Sequence, residues 1–253
     1  MFDPTSRFTR TVEKYSQYRP SYPKEVLQVL VDECGLASSS IIADIGSGTG
    51  ILTRLFLDHG NTVYGVEPNQ AMRESGEDFL RQYTSFCSIN GTAEATTLPD
   101  KSVDFIVIGT AFHWFDIDLA QIEFKRILKS PGWVMMVWNV RNTEKSDLQR
   151  DYEELIVRYG TDYRDSKAHK FENTAVSDFF NPYPMNIKTF TNSQDFDWEG
   201  LQGRLLSTSY SLAPDDLGYD EMLKELRQIF DRYQKNGKVE FLYKTIMYYG
   251  QLT

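Results

Sequence analysis

The fold of this 253-residue chain is decided by the stretch Ile41-Ile42-Ala43-Asp44-Ile45-Gly46-Ser47-Gly48-Thr49-Gly50. Its apolar first half predicts a buried parallel strand with one acidic residue near the end. Glycine then occupies every second position, and glycine tolerates positive φ angles and lets a ligand approach the backbone closely. Apolar side chains at helical spacing follow over residues 51–56. The stretch therefore predicts a strand, a glycine turn and a helix in succession.

A second apolar segment, Val63-Tyr64-Gly65-Val66, ends in the acid Glu67, which comes 23 residues after Asp44. A strand, a glycine turn and a helix followed by an acid about 20 residues later are typical of a nucleoside-binding unit. In such a unit the helix N-terminus lies near the ligand and the acid accepts hydrogen bonds from the ribose hydroxyls. The alternative interpretation is a strand-to-helix turn that binds no ligand.

The spacing of the glycines distinguishes between two kinds of nucleoside ligand. Dinucleotide sites usually carry the pattern G-x-G-x-x-G, whereas here the third glycine comes one residue early and Ile51 fills the later position. The acid Asp44 would repel a pyrophosphate, but it suits a ligand that carries a positive amino group. A nicotinamide-dependent oxidoreductase therefore stays open as the less favoured alternative.

The alternation of strands and helices predicts the fold class, an α/β doubly wound and mostly parallel sheet of about seven strands with a helical cap. After about residue 140 the rhythm becomes irregular, and the segment 161–185 is polar and contains Pro182 and Pro184. Pro131 and Gly132 predict a turn. The predicted strands are 41–45, 62–66, 85–89, 103–108, 133–138, 187–196 and 239–252. The predicted helices are 24–36, 50–59, 69–82, 117–129, 147–160, 198–207 and 220–235.

Composition narrows the class of function. The net charge of −9 argues against a large nucleic-acid surface, and no apolar run approaches the ~18 residues of a membrane span. No signal peptide is visible, so we expect a cytoplasmic protein. With two cysteines and three histidines, no ligand spacing for a metal such as zinc is visible. A small-molecule partner is expected, and the oligomeric state is not predicted.

Further segments resemble the class I S-adenosylmethionine (SAM) dependent methyltransferases, in particular the methyltransferase type 11 group. Beyond the glycine motif, the segments are Val66–Met72 and Gly91–Ala95 followed by Leu98-Pro99-Asp100. Four segments resemble a subgroup related to trans-aconitate methyltransferases and fungal small-molecule methyltransferases. They are Ala111-Phe112-His113-Trp114-Phe115, Tyr18–Pro23, Trp138–Arg141 and Leu206–Tyr210.

This resemblance implies SAM as the cofactor and assigns its contacts position by position. The methionyl part would lie against Asp44 and the glycine loop, the ribose against Glu67, and the adenine between backbone groups of later loops. A serine in the loop, where many members carry another small residue, is the one departure. The implied cofactor-binding residues are Asp44, Gly46, Ser47, Gly48, Glu67, Pro68, Met72, Ala93, Glu94, Thr110 and Ala111.

His113 is the candidate catalytic residue, because it follows the fourth strand and could take a proton from a hydroxyl or amine acceptor. The alternative is a histidine that closes the pocket by a hydrogen bond and transfers no proton. Trp114, Phe115 and Trp138 could form an aromatic wall near the sulfonium, or they could simply pack under the cap. The same alternatives of function or packing hold for each of them.

The segment that precedes the first helix is predicted to fold over the cofactor as a lid. It contains Tyr15, Tyr18, Arg19 and Tyr22, and Arg19 could hold a carboxylate substrate by a bidentate contact or form a structural salt bridge. The implied substrate-contacting residues are Tyr18, Arg19, Tyr22, His113, Trp114 and Trp138.

The resemblance predicts a SAM-dependent methyltransferase that acts on a small molecule and releases S-adenosylhomocysteine (SAH). Transfer would be an in-line displacement, with an oxygen of a carboxylate or hydroxyl as the expected acceptor. A non-catalytic SAM-binding module and an NAD-dependent oxidoreductase are the alternatives. The expected organisation is a lid segment and first helix over 1–36, a SAM-binding core over 37–140, and cap helices with C-terminal strands over 141–253.

Overall fold

A computed structural model describes residues 12, 17–161, 163, 173–208 and 210–252 of the chain. One seven-stranded sheet has the strand order β3-β2-β1-β4-β5-β7-β6. The first five strands pair in parallel, whereas β7 runs antiparallel to both β5 and β6. The strands are β1 Ile41–Ile45, β2 Thr62–Val66, β3 Phe86–Ile89, β4 Val103–Gly109, β5 Leu128–Arg141, β6 Met185–Phe196 and β7 Val239–Gln251.

Helices cover both faces of the sheet, which confirms the doubly wound α/β fold. The helices are α1 Lys24–Cys34, α2 Ile51–His59, α3 Gln70–Leu80, α4 Ile117–Ile127, α5 Asp147–Tyr159, α6 Asn173–Phe180, α7 Trp198–Leu206 and α8 Tyr219–Tyr233. Side chains of successive strand residues point to opposite faces, so Ile42 packs with α1 and α2, while Ala43 packs in the cluster that contains residues of α4 and α6. A further cluster joins α5, α7 and α8 to the ends of β6 and β7.

The strand order creates the place for a ligand site. The chain moves outward from β1 to β3 and then returns to place β4 on the other side of β1. Ligands of open α/β sheets bind at such a switch point, outside the carboxyl ends of the strands. Gly46, Glu67 and Thr110 follow β1, β2 and β4 directly, so this edge gathers the glycine loop and the acid at the end of the second strand.

The structure departs from the predicted elements in two places. The polar segment 161–185, to which the sequence assigned no element, contains α6, whose Val176, Phe179 and Phe180 are buried in the sheet core. So short a helix has a weak local signal and is stabilised by this tertiary packing. The predicted turn at Pro131 and Gly132 is instead an irregularity within β5, whose pairing with β4 shifts between Val103 and Phe105. Proline is tolerated there because a bulged residue donates no ladder hydrogen bond.

The close approach of the glycine loop to the segment after β4 can be tested by two matched substitutions. Gly46 and Gly35 have φ angles of +70° and +71°, but a Cβ on Gly46 would lie 2.6 Å from Ala111 Cβ, whereas one on Gly35 would meet nothing within 4 Å. Both alanine variants carry the strain of a positive φ, about 1 kcal/mol. We expect Gly46→Ala to lower the free energy of unfolding by an additional ~1–3 kcal/mol because of overpacking.

Urea unfolding of the two variants beside the wild type measures this difference. Gly35→Ala serves as the control, since it carries the same backbone strain without the steric contact. Equal losses in the two variants would contradict the close approach between the loop and Ala111.

Candidate active site

A continuous cleft lies at the carboxyl ends of β1, β2 and β4, and the glycine loop divides it into two halves. The Asp44 half is lined by residues that include Asp44, Ser47 and Thr49 and has an open volume of about 580 Å³. The Glu67 half is lined by residues that include Glu67 and Met72 and has an open volume of about 940 Å³. Both halves are lined by Gly46, Gly48, Gly109 and Thr110.

The glycine loop keeps its shape through positive φ angles at Gly46, Gly48 and Gly50, of +70°, +56° and +85°. The backbone N–H groups of Gly46 and Ser47 donate to the carbonyl of Val66, at 2.9 and 3.2 Å, which fixes the loop to the end of β2. Side chains with a Cβ rarely adopt these φ angles, so the sequence pattern and the loop geometry agree. The result is a bare backbone surface against which a ligand can lie.

Glu67 bridges the loop and the start of α3. Its Oε2 accepts a hydrogen bond from the Gly48 N–H at 2.9 Å, and its Oε1 accepts one from the Asn69 N–H at 2.9 Å. Burial raises the pKa of Glu67, against the two backbone hydrogen bonds, which favour the carboxylate. Each carboxylate oxygen can accept more than one hydrogen bond, so the fixed carboxylate retains capacity for the hydroxyl groups of a ribose.

Asp44 lies at the other half of the cleft and is fully buried. Its Oδ2 accepts a hydrogen bond from Thr53 Oγ1 at 2.6 Å, while its Oδ1 has no hydrogen-bond partner among the described residues. Burial raises the pKa of Asp44 to about 7, and the nearby Glu67 carboxylate acts in the same direction. A buried carboxylate oxygen without a partner is costly, and an ammonium group bound beside it would remove that cost. The unpartnered acceptor oxygen of Asp44 therefore fits the amino group of a methionyl ligand.

All of the predicted cofactor-binding residues line this cleft. Asp44 and Ser47 line the first half, and Gly46, Gly48 and Thr110 line both. One acid in the lining also has a structural contact, because Glu94 Oε1 accepts a hydrogen bond from the N–H of Asp116 at 2.8 Å. The remaining members line the second half, and they are Glu67, Pro68, Met72, Ala93, Glu94 and Ala111.

The predicted substrate residues divide into two groups. Arg19 and Tyr22 line the Asp44 half and Trp114 lines the Glu67 half, together with the predicted aromatic neighbour Phe115. The Tyr22 hydroxyl lies 3.2 Å from Thr110 Oγ1, which holds the lid segment onto the loop after β4. Tyr15, which the sequence places in the lid segment, lies outside the described residues.

The other predicted substrate and catalytic residues line neither half of the cleft. Trp138 is buried, with its ring in edge contact with Phe112 and Tyr248. His113 lies in the short 3-10 turn Phe112–Trp114, with its ring centroid 4.9 Å from that of Trp114. Tyr18 packs on α7, where a Cβ on Gly203 would lie 2.2 Å from its ring. A direct role for any of them stays a prediction.

Several residues of the cleft lining were not predicted from the sequence. Among them, Thr49 and Asn69 are neighbours of predicted residues, and the loop motif could have indicated them. Thr49 Oγ1 is buried without a hydrogen-bond partner among the residues the structure describes. Arg204 lies on α7 and has only 3% of its surface exposed. A single arginine on a helix gives no local signal of burial, so only the fold reveals its position.

Comparison with known proteins agrees with this geometry. A methyltransferase domain model matches residues 43–136, from β1 into β5. The uncharacterized methyltransferase Rv3342 of Mycobacterium tuberculosis is 34% identical over 163 residues, which cover 64% of this chain and 64% of that protein. The uncharacterized methyltransferase C25B8.09 of Schizosaccharomyces pombe is 26% identical over 249 residues, 95% of each chain. The chain thus spans about 64% of the length of its mycobacterial relative.

Solved structures share the architecture. A provisionally assigned type II methyltransferase of Anaeromyxobacter dehalogenans superposes with a TM-score of 0.69 at 19% identity, over 93% of this chain and 98% of that one. The fold is therefore the Rossmann-like fold of class I methyltransferases. The domain match and the relatives make this chain similar to methyltransferases, and the shared fold agrees with that similarity. The subgroup related to trans-aconitate and fungal methyltransferases stays a prediction.

Two further properties of the described residues bear on membranes and metals. Within them, no helix is both long enough and apolar enough to cross a membrane. The same residues contain no group of three or more His, Cys, Asp or Glu side chains arranged to hold a metal ion.

The unmatched Asp44 carboxylate predicts opposite effects of one substitution on stability and on binding. In Asp44→Asn the amide oxygen can still accept from Thr53, but the buried charge is gone. Because the folded-state pKa of about 7 exceeds the ordinary value of 3.8, stability falls as pH rises between these values and stays low above pH 7. We expect Asp44→Asn to raise the free energy of unfolding at pH 8 by on the order of 1–4 kcal/mol, and by almost nothing at pH 4. Urea unfolding at both pH values measures this.

The same variant is expected to weaken SAH binding about 100-fold at pH 8, since the ligand ammonium loses its counter-charge, worth ~3 kcal/mol. Asp104→Asn is the matched control, because Asp104 lies on the neighbouring strand β4 and pairs with Lys129 away from the cleft. It should leave SAH affinity unchanged. Unchanged affinity in Asp44→Asn, or a loss of stability at pH 8 greater than at pH 4, would contradict the assigned role.

Proposed function

We propose that the whole chain transfers a methyl group from SAM to an oxygen atom of a small molecule, either a carboxylate or a hydroxyl. The observation that carries this proposal is the pair of buried acids, Asp44 and Glu67, placed on either side of one bare glycine loop. An acid with an unmatched oxygen suits the amino end of the cofactor, and an acid fixed by two N–H groups suits its ribose. Few other ligands need these two acids at opposite ends of one cleft.

The residues between the two acids would hold the middle of the cofactor. When bound, SAM supplies an electrophilic methyl carbon on a positively charged sulfur, and displacement by an acceptor oxygen leaves SAH. The chain would contribute alignment, which alone supplies ~7–11 kcal/mol to reactions of this kind. Residues 37–140 would bind the cofactor, while the lid over 1–36 and the cap over 141–253 would enclose the acceptor.

The position of His113 supports transfer without a general base. Its ring lies in tilted contact with that of Trp114, and neither half of the cleft is lined by it. A carboxylate is already deprotonated at neutral pH and needs no base, whereas a hydroxyl would. A carboxylate is therefore the favoured acceptor, and Arg19 in the cleft lining agrees with an anionic molecule.

Calorimetric titration with SAH and with NAD tests the cofactor assignment. We expect SAH to bind with a micromolar Kd and NAD not to bind. Glu67→Gln should weaken SAH about 10-fold, because a hydrogen bond to a charged acceptor is worth ~1.5–3 kcal/mol. Glu74→Gln, an exposed position on the helix α3 that follows, is the control.

Binding of NAD in place of SAH would make the protein a dehydrogenase candidate and overturn the proposal. Binding of SAH without methyl transfer to any of a panel of small carboxylic acids and phenols would favour a non-catalytic SAM-binding module.

Replacement of His113 by alanine tests the role of a base. We expect turnover of an acceptor found in that panel, followed with methyl-labelled SAM, to stay within about threefold of the wild type. A positioned base would contribute ~10²–10⁴-fold, so a loss of that size with a changed pH profile would assign proton transfer to His113. His59→Ala, at the C-terminal end of α2, controls for loss of an imidazole elsewhere.

A further inference from the structure

Arg204 is a buried cation in the wall of the Asp44 half. It lies on the inward face of α7, is 3% exposed, and lines the cleft together with Arg19 and Asn139. Its Nε donates to the hydroxyl of Tyr243 at 3.2 Å, and its Nη1 is buried without a hydrogen-bond partner among the residues described. A guanidinium carries five N–H donors and remains charged at all relevant pH values, so most of its binding capacity is unused here.

The nearby Arg141 is a useful comparison, because its guanidinium has a carboxylate partner. Arg141 is partly buried, and its Nε and Nη2 donate to one carboxylate oxygen of Glu153 at 2.9 and 2.7 Å. Arg204 has tyrosines as its polar neighbours and no carboxylate within ion-pair distance in the described part of the chain. Removing a guanidinium from water without a counter-ion is costly, so this position calls for an anion.

The charges in the Asp44 half of the cleft, counted with SAM bound, also favour an anionic ligand. Its lining contains two arginines, Arg19 and Arg204, against the single acid Asp44. The ammonium and carboxylate of a bound SAM cancel each other, and its sulfonium adds a further positive charge. An acceptor that carries a carboxylate would offset this excess, whereas a neutral or cationic acceptor would not.

The carboxylate of the cofactor itself has other partners available. Thr49 Oγ1 lines the same half of the cleft and is buried without a hydrogen-bond partner in the described region. The helix α2 begins two residues later at Ile51, and the first N–H groups of a helix favour an anion. These groups lie on the glycine loop beside Asp44, which takes the amino group of the same ligand.

We propose that Arg204 is a specificity-determining residue that binds a carboxylate group of the methyl acceptor. This inference rests on the proposed function, and it narrows the acceptor to a small carboxylic acid. Arg19, on the lid segment, donates to the carbonyl of Ser207 just after α7, so both arginines approach from the same side of the cleft. The remaining guanidinium donors of Arg204 can form a bidentate contact with a planar carboxylate.

Binding of simple carboxylates to the SAH-loaded protein tests this assignment. Sodium formate and sodium benzoate would be titrated at constant ionic strength, with formamide and benzamide as the uncharged counterparts. We expect saturable binding of the acids and none of the amides. Arg204→Met should weaken carboxylate binding at least 10-fold and Arg204→Lys by less, because lysine keeps the charge but loses the planar donor pair. Arg158→Met, an exposed arginine paired with Glu225 away from the cleft, should behave as the wild type.

Separate titrations of SAH and of 5′-methylthioadenosine, which lacks the amino acid part, distinguish the two sources of a carboxylate. We expect Arg204→Met to bind both ligands within twofold of the wild type. A selective loss of SAH affinity would assign Arg204 to the cofactor and overturn the inference. So would equal carboxylate binding in wild type and Arg204→Met, or no carboxylate binding in the wild type. Failure of the wild type to bind SAH at all would instead refute the proposed function. Circular dichroism checks folding, and Arg204→Lys supplies the comparison if the methionine variant does not fold.

Discussion

The buried and unmatched carboxylate of Asp44 is the constraint on which the rest of the site depends. A carboxylate at the end of a central strand loses its water, and one hydrogen bond from Thr53 satisfies only one of its oxygens. The loop that follows has glycine at positions 46 and 48, where positive φ angles disfavour any side chain, so no side chain from these positions can donate to the carboxylate. The buried Oδ1 has no hydrogen-bond partner among the described residues, and in the proposed complex a ligand ammonium would supply one. Stability lost in the free protein would then become binding energy for that ligand.

The second acid is arranged in the opposite way. Glu67 is held by two backbone N–H groups, one from the glycine loop and one from the start of α3, and so it helps to build the site that it serves. Asp44 is a free acceptor and Glu67 a fixed one. In the proposed complex, this difference would orient the ligand, with its charged amino group at Asp44 and its neutral ribose hydroxyls at Glu67. Arg19 and Arg204, which line the Asp44 half, would provide positive charge for the carboxylate of the proposed acceptor.

The sequence predicts most of the α/β core because local patterns determine it. The glycine spacing, the apolar strands and the acid after β2 locate the loop, the switch point and the lining residues of the cofactor site. Thr49 lies within that motif and could have been recognised. The sequence did not predict α6, whose stability comes from burying Val176 and Phe179 against the sheet rather than from its own eight residues. It also did not reveal Arg204, because burial of one helical arginine depends on how α7 packs.

The most direct test of the account is a crystal structure of the protein with SAH. We expect the ligand's amino nitrogen to lie within hydrogen-bond distance, about 3 Å, of Asp44 Oδ1, and the ribose hydroxyls to donate to the Glu67 carboxylate. An amino group turned toward solvent, or a ligand bound with its adenine beside Asp44, would contradict the account, because the unmatched carboxylate would then have no ligand partner.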